Sequence, residues 1–131
     1  MIVLDTHALV WWASEPARLS RRARQTLQTF ARRQELAASA ISVFEIVTAE
    51  RRGRLAFTLP VEEWLDELRR LPEVTIHPVT DAVAQMAGRF DDSVPRDPAD
   101  RLIAATAIAL DAPLLTADSG LRQTPGLRTI W

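Results

Sequence analysis

The chain contains no cysteine. Disulfides, zinc–thiolate centres and a cysteine nucleophile are therefore excluded, although this says little about the redox compartment. Lysine is also missing, so all 16 basic residues are arginine. That removes Walker-type phosphate binding, Schiff-base chemistry and lysine-assisted phosphoryl transfer. With only 2 histidines, a histidine-rich metal site is not expected. No apolar run approaches the roughly 18 residues of a membrane span. The opening Met1-Ile2-Val3-Leu4-Asp5 lacks the basic start and long apolar centre of a signal peptide, so a cytoplasmic protein without a membrane partner is expected. The formal net charge of -1 provides no general attraction to nucleic acid. Any such binding must come from a local arginine patch.

What remains is enough for one domain over residues 1–131: 47% of the residues are hydrophobic and 25% charged, so a real core can form. Ile2-Val3-Leu4 is a short aliphatic strand that stops at Asp5-Thr6-His7. Ala8 to Ala13 reads as a short helix interrupted near Pro16. Ala17 to Arg33 is amphipathic, with Leu19, Ala23, Leu27 and Phe30 opposite a basic face. Glu35 to Ser39 predicts a second strand. Ser42 and Glu45 have capping-box spacing, which predicts a helix from about Val43 to Arg52, closed by Gly53, with Glu45 in its first turn.

Val61 to Leu71 carries acids at its start and arginines at its end, as the helix dipole favours. Val74-Thr75-Ile76 is a third strand, and Thr80-Asp81 opens a helix that Gly88 is expected to stop. Asp91 and Asp92, in the polar loop that follows, read as solvated. Asp97 is a good N-cap, Pro98 suits the first helical position and Asp100 falls in the first turn of a nearly all-apolar helix to Leu110. Ala112 to Thr116 is a strand ending at Asp118, Leu121 to Pro125 an irregular connection, and Gly126 to Trp131 a last edge strand.

Strands alternating with helices predict an α/β fold, three-layer α/β/α, with a mainly parallel sheet of about five strands. In such sheets ligands bind beyond the carboxyl ends of the strands. Asp5 and Asp118 leave strand ends, while Glu45 and Asp100 enter helices, so all four acids belong to that edge. Two carboxylates about 4 Å apart repel by roughly 4 kcal/mol at an effective dielectric near 20. Such a cluster needs protonation or a counterion, and a hard divalent cation suits oxygen ligands.

The segments VLDTHALVWW, SAISVFEIVTAE, RDPADRLIAATA and LLTAD, in this order and spacing, give the chain its family likeness. It resembles PIN-domain ribonucleases, in particular the VapC toxins of bacterial toxin–antitoxin pairs, over essentially its whole length. The resemblance implies that Asp5, Glu45, Asp100 and Asp118 are the catalytic and metal-binding quartet. It implies one or two Mg²⁺ or Mn²⁺ ions that orient a phosphodiester, activate water and stabilise the leaving 3′-oxygen. It also implies an RNA substrate, a homodimer, and a cognate VapB-type antitoxin whose tail lies along an apolar groove, to which Trp11 and Trp12 are candidates to contribute. Phe44 and Trp64 add further aromatic area.

Asp97 matches an acid of one subgroup, with a capping or supporting role. Pro95 stands where members of that subgroup often have histidine. Thr6 and Thr116, beside the acids, are candidates either to orient ligands or to serve structure. Arg96 and Arg101 are placed for phosphate contact, Arg101 equally for an ion pair with Asp97 or Asp100. His7 reads as structural. Two other functions fit less well. A different Mg²⁺-dependent phosphohydrolase is disfavoured by the absent lysine and by the single aspartate in Asp5-Thr6-His7. A non-catalytic RNA- or protein-binding module is disfavoured by the intact quartet.

Overall fold

The computed structural model describes residues 1–131. Its sheet has five strands: β1 Ile2–Leu4, β2 Leu36–Ser39, β3 Val74–His77, β4 Leu114–Leu115 and β5 Thr129–Ile130. Their order is β3-β2-β1-β4-β5, and every pairing is parallel. The central strand β1 is wholly buried, as a strand covered on both faces must be. Its side chains alternate between two cores. Ile2 and Leu4 join one with Leu9, Leu27, Ile46 and Leu68, while Val3 joins the other with Ala37, Ile103 and Leu114. The period of 2 thus appears directly as two layers.

Seven helices complete the fold: α1 Thr6–Ser14, α2 Arg21–Arg32, α3 Ala40–Arg51, α4 Val61–Arg70, α5 Asp81–Arg89, α6 Pro98–Ala109 and α7 Ser119–Arg122. A 3-10 turn at Pro16–Arg18 separates α1 from α2, so the expected helix from Ala17 begins only after the Ser20 cap. Helix α6 lies against the sheet through Ala104 and Ala107, both fully buried. Small side chains there let the helix backbone come close to the strands. No helix is long and apolar enough to cross a membrane.

Three local expectations differ. Helix α3 starts at Ala40 with Ser39 as its cap, donor Ile41 N–H to Ser39 Oγ 3.2 Å. The Ser42–Glu45 capping box therefore does not form, and Glu45 sits in the second turn. Gly88 lies inside α5 rather than ending it; it is exposed with open space around it, and its cost of about 1 kcal/mol in helix propensity is too small to end a helix that packs on α6. Ser119–Arg122 forms a short helix that runs from the expected turn at Ser119-Gly120 into the start of the expected irregular connection from Leu121, because Asp118 caps it.

The chain builds β1, β2 and β3 outward in one direction, then returns to place β4 on the other side of β1. The order reverses between β1 and β4. A crevice opens beyond the carboxyl ends of strands at such a reversal, and Asp5 and Thr116 are the residues that leave β1 and β4 there.

Candidate active site

Asp5 is buried, with 6% of its surface exposed. It caps α1 by accepting the Ala8 N–H at Oδ1, 2.8 Å, and its Oδ2 accepts the Thr116 hydroxyl. Burial pushes its carboxyl above the usual range, against the hydrogen bonds from Thr116 and Ala8 and the nearby His7; Asp118 adds to the rise. Thr116 is fully buried, and its oxygen also accepts the Asp118 N–H at 3.0 Å. One hydroxyl thus links the ends of β1 and β4 to the start of α7.

Glu45 is half-buried and accepts the Thr6 hydroxyl at Oε1, 2.5 Å. Its carboxyl is raised chiefly by burial and then by the charges of Asp97 and Asp5, with Thr6 and His7 opposing. The same Thr6 oxygen lies 2.9 Å from Ser42 Oγ. Because Thr6 gives its single proton to Glu45, Ser42 is the donor in that second bond. Ser42, fully buried, is therefore part of the site. Local spacing assigned it to a helix cap, and its real partner is 36 positions away.

Asp97 caps α6 through Oδ1, accepting the Ala99 and Asp100 N–H groups at 2.8 and 3.3 Å. Asp118 caps α7, accepting the Leu121 N–H at 2.9 Å. Asp100 differs from the other acids. It is half-buried and accepts no hydrogen bond from the protein, and its carboxyl is pushed up to about 7 by burial first and then by the charges of Asp97, Asp118, Glu45 and Asp5. The four acids singled out from the sequence, with Asp97, thus act on one another electrostatically.

As the side chains lie, no three Asp, Glu or His groups converge closely enough to chelate one cation. The physical reason is visible in their partners. Asp5, Asp97 and Asp118 are each turned to their own helix N-terminus, which relieves mutual repulsion. The donor set itself fits a hard divalent cation, since its donors are all carboxyl oxygens and it leaves the Asp100 carboxyl unclaimed.

Of the two arginines, only Arg101 departs from expectation. Arg96 is exposed and forms no ion pair. Arg101 neither pairs with Asp97 or Asp100 nor is free for phosphate; its guanidinium is taken up by backbone carbonyls of the preceding loop. His7 is exposed, with its ring tilted against Trp11 at 5.7 Å.

Thr6, Glu45 and Asp97 also line a groove of about 750 Å³ whose other walls include Trp11, Phe44, Arg52 and Arg54. Phe44 is 65% exposed there. Trp12 is not part of this groove and packs against the buried core instead. Trp64 is buried, its indole N–H donating to Ser14 Oγ at 2.7 Å.

An α/β/α sheet with acids gathered at its strand-order reversal defines the class of protein, and comparison with known proteins agrees. The family model for the PIN domain matches residues 2–127, so the chain belongs to the PIN-domain family. It is 39% identical over 132 residues to ribonuclease VapC22 of Mycobacterium tuberculosis (strain ATCC 25618 / H37Rv), covering 99% of this chain and 98% of that protein. Among solved structures it is similar to VapBC2 from Rickettsia felis bound to a promoter DNA fragment, with a TM-score of 0.72 and 20% identity over 99% of this chain and 98% of that one. It is also similar to FitAcB from Neisseria gonorrhoeae, with a TM-score of 0.70 and 23% identity over 100% of this chain and 97% of that one. At these identities the structural likeness is one of fold.

Proposed function

We propose that the protein is a Mg²⁺- or Mn²⁺-dependent endoribonuclease, the toxin of a toxin–antitoxin pair, in which Asp5, Glu45, Asp100 and Asp118 hold the metal. The observation that carries this reading is the Asp100 carboxylate, unbonded and pushed up to about 7 among four other acids. Such a concentration of negative charge is unfavourable by itself and is offset by a divalent cation. The 39% identity to a ribonuclease over nearly the whole chain supports RNA as the substrate. The toxin–antitoxin complexes with the same fold support a VapB-type antitoxin as the partner.

When bound, the metal supplies Lewis-acid activation of water and neutralises charge on the phosphodiester. The protein's own residues do the rest. Thr116 fixes Asp5 in a single orientation, and the Ser42–Thr6 pair fixes Glu45, so two acids are held before any ligand arrives. Asp100 is aimed by α6, whose buried alanine face makes a rigid mount. Asp97 serves as the cap that starts this helix. No protein nucleophile is required. The groove beside Glu45 and Asp97 is the place for the antitoxin tail, with Trp11 and Phe44 as apolar anchors, and a homodimer is the assembly expected in solution.

The test is incubation of purified protein with single-stranded RNA and Mg²⁺ or Mn²⁺. Internal cleavage that stops with EDTA, and is absent in Asp5→Asn, is expected. Hydrolysis of phosphomonoesters without RNA cleavage would contradict the proposal.

A further inference from the structure

The connection from α5 to α6, Phe90 to Asp97, contains a single backbone hydrogen bond within itself, Val94 N–H to Asp91 O at 3.4 Å. Two side chains shape it: the Asp91 carboxylate accepts the Ser93 N–H and hydroxyl at 2.9 and 2.5 Å, which closes one local turn, and Arg101 ties the loop as a whole. Arg101 Nε donates to Pro95 O at 2.9 Å, Nη1 to Phe90 O at 2.6 Å, and Nη2 to Asp91 O and Val94 O at 3.0 and 3.4 Å. Four carbonyls thus converge on one planar fork. An ammonium group, with its donors on a single atom, cannot span them.

The loop held in this way presses on the other side of the site. The Pro95 ring covers Gly120 in α7, where an added Cβ would stand 3.0 Å from Pro95 Cγ and 3.1 Å from Asp118 Oδ1. A side chain there would require Pro95 or Asp118 to give way by a few tenths of an ångström, so Pro95 packs as the wall of the turn that presents Asp118. The same loop ends at Asp97, the cap of the helix that carries Asp100.

We propose that Arg101 is a positioning residue: by gathering the Phe90, Asp91, Val94 and Pro95 carbonyls it holds Pro95 against Gly120, and so fixes Asp118 relative to Asp100. Arg101 touches neither acid through its guanidinium and acts on them only through the loop. The metal-affinity part of its test rests on the metal reading above; the exchange part does not.

The experiment compares the full-length parent, Arg101→Met and Arg101→Lys by amide hydrogen exchange without metal and by calorimetric titration with Mn²⁺. In both variants the amides of Asp118 and Leu121, bonded to Thr116 and Asp118, should lose protection by about tenfold or more, while those of β1 and α2 keep theirs. Mn²⁺ affinity should fall about tenfold, and lysine should not rescue it. In an Asp118→Asn background the Arg101→Met substitution should have little further effect on Mn²⁺ affinity, because the two act through one group. Unchanged exchange in α7 with loosening confined to residues 90–97 would overturn the proposal, as would an equal loss of protection throughout the fold. Full rescue by lysine, or independent effects of Arg101→Met and Asp118→Asn, would also overturn it. If the parent itself binds no Mn²⁺, the metal reading fails, and exchange in α7 still decides the role of Arg101.

Discussion

Thr6 lies between Ser42 and Glu45, accepting a hydrogen bond from the first and donating one to the second, at 2.9 and 2.5 Å. This chain joins the start of α1 to the second turn of α3 and leaves Glu45 with one oxygen fixed and one free.

Replacing Thr6 with valine keeps the shape and removes both hydrogen bonds. Glu45 loses its only hydrogen-bond donor, and the buried Ser42 hydroxyl loses its acceptor, at a cost of about 1–3 kcal/mol. RNA cleavage should fall about 10- to 100-fold, the range for residues that orient metal ligands, while Thr6→Ser retains most of it. Steady-state rates and urea denaturation of the three proteins check this.

Thr116→Val breaks the buried bond to Asp5 and frees the Asp118 amide that the same oxygen accepts. Burial already raises Asp5, and loss of the Thr116 proton removes the largest opposing effect. The Asp5 carboxyl therefore rises further, and the acid limb of the pH–rate profile should move to higher pH. A profile identical to that of the parent would contradict this role.

Asp100 supplies a stability prediction with a definite sign. Its carboxyl is pushed up to about 7 from 3.8. A raised acid binds more protons folded than unfolded between these values, so this contribution to stability is present at low pH and is lost as pH rises toward 7. The group is half-exposed, and solvent screening reduces the effect to on the order of 1 kcal/mol. Asp100→Asn should therefore raise the Tm of the metal-free protein by about 4 °C at pH 8, have little effect near pH 4, and abolish cleavage. Scanning calorimetry across pH checks it.

Phe44 projects into the groove beside Glu45 and is 65% exposed. Truncation to alanine should leave Tm and RNA cleavage nearly unchanged while weakening the cognate antitoxin by about 2 kcal/mol, as loss of an aromatic anchor does. Calorimetric titration of the antitoxin tail measures this.

The layer order and the α6 entrance were legible because they rest on local grammar: alternating aliphatic strands, and Asp97-Pro98 followed by Asp100. Grouping the acids at one edge followed from the same alternation. What escaped depends on long-range partners. Ser39 and Ser42 both precede an apolar helical run, and only the end of β2 at Ser39 decides which one caps. Arg101 follows Asp100 directly and lies four residues after Asp97 in the sequence, yet its fork reaches back 6 to 11 residues to the carbonyls of the preceding loop. Asp100 itself gave no local sign of its raised carboxyl, which arises from burial and from the charges of Asp97 at the same helix entrance and of Asp118, Glu45 and Asp5 in three other segments.

Mn²⁺ titration of the metal-free protein near pH 6.5, followed by calorimetry in two buffers of different ionisation enthalpy, decides whether these acids form a divalent-cation site. Because Asp100 is partly protonated there, Mn²⁺ should bind with net release of protons, and Asp100→Asn should bind at least about tenfold more weakly with smaller release. Equal Mn²⁺ affinity and equal proton release in the parent and Asp100→Asn would contradict such a site.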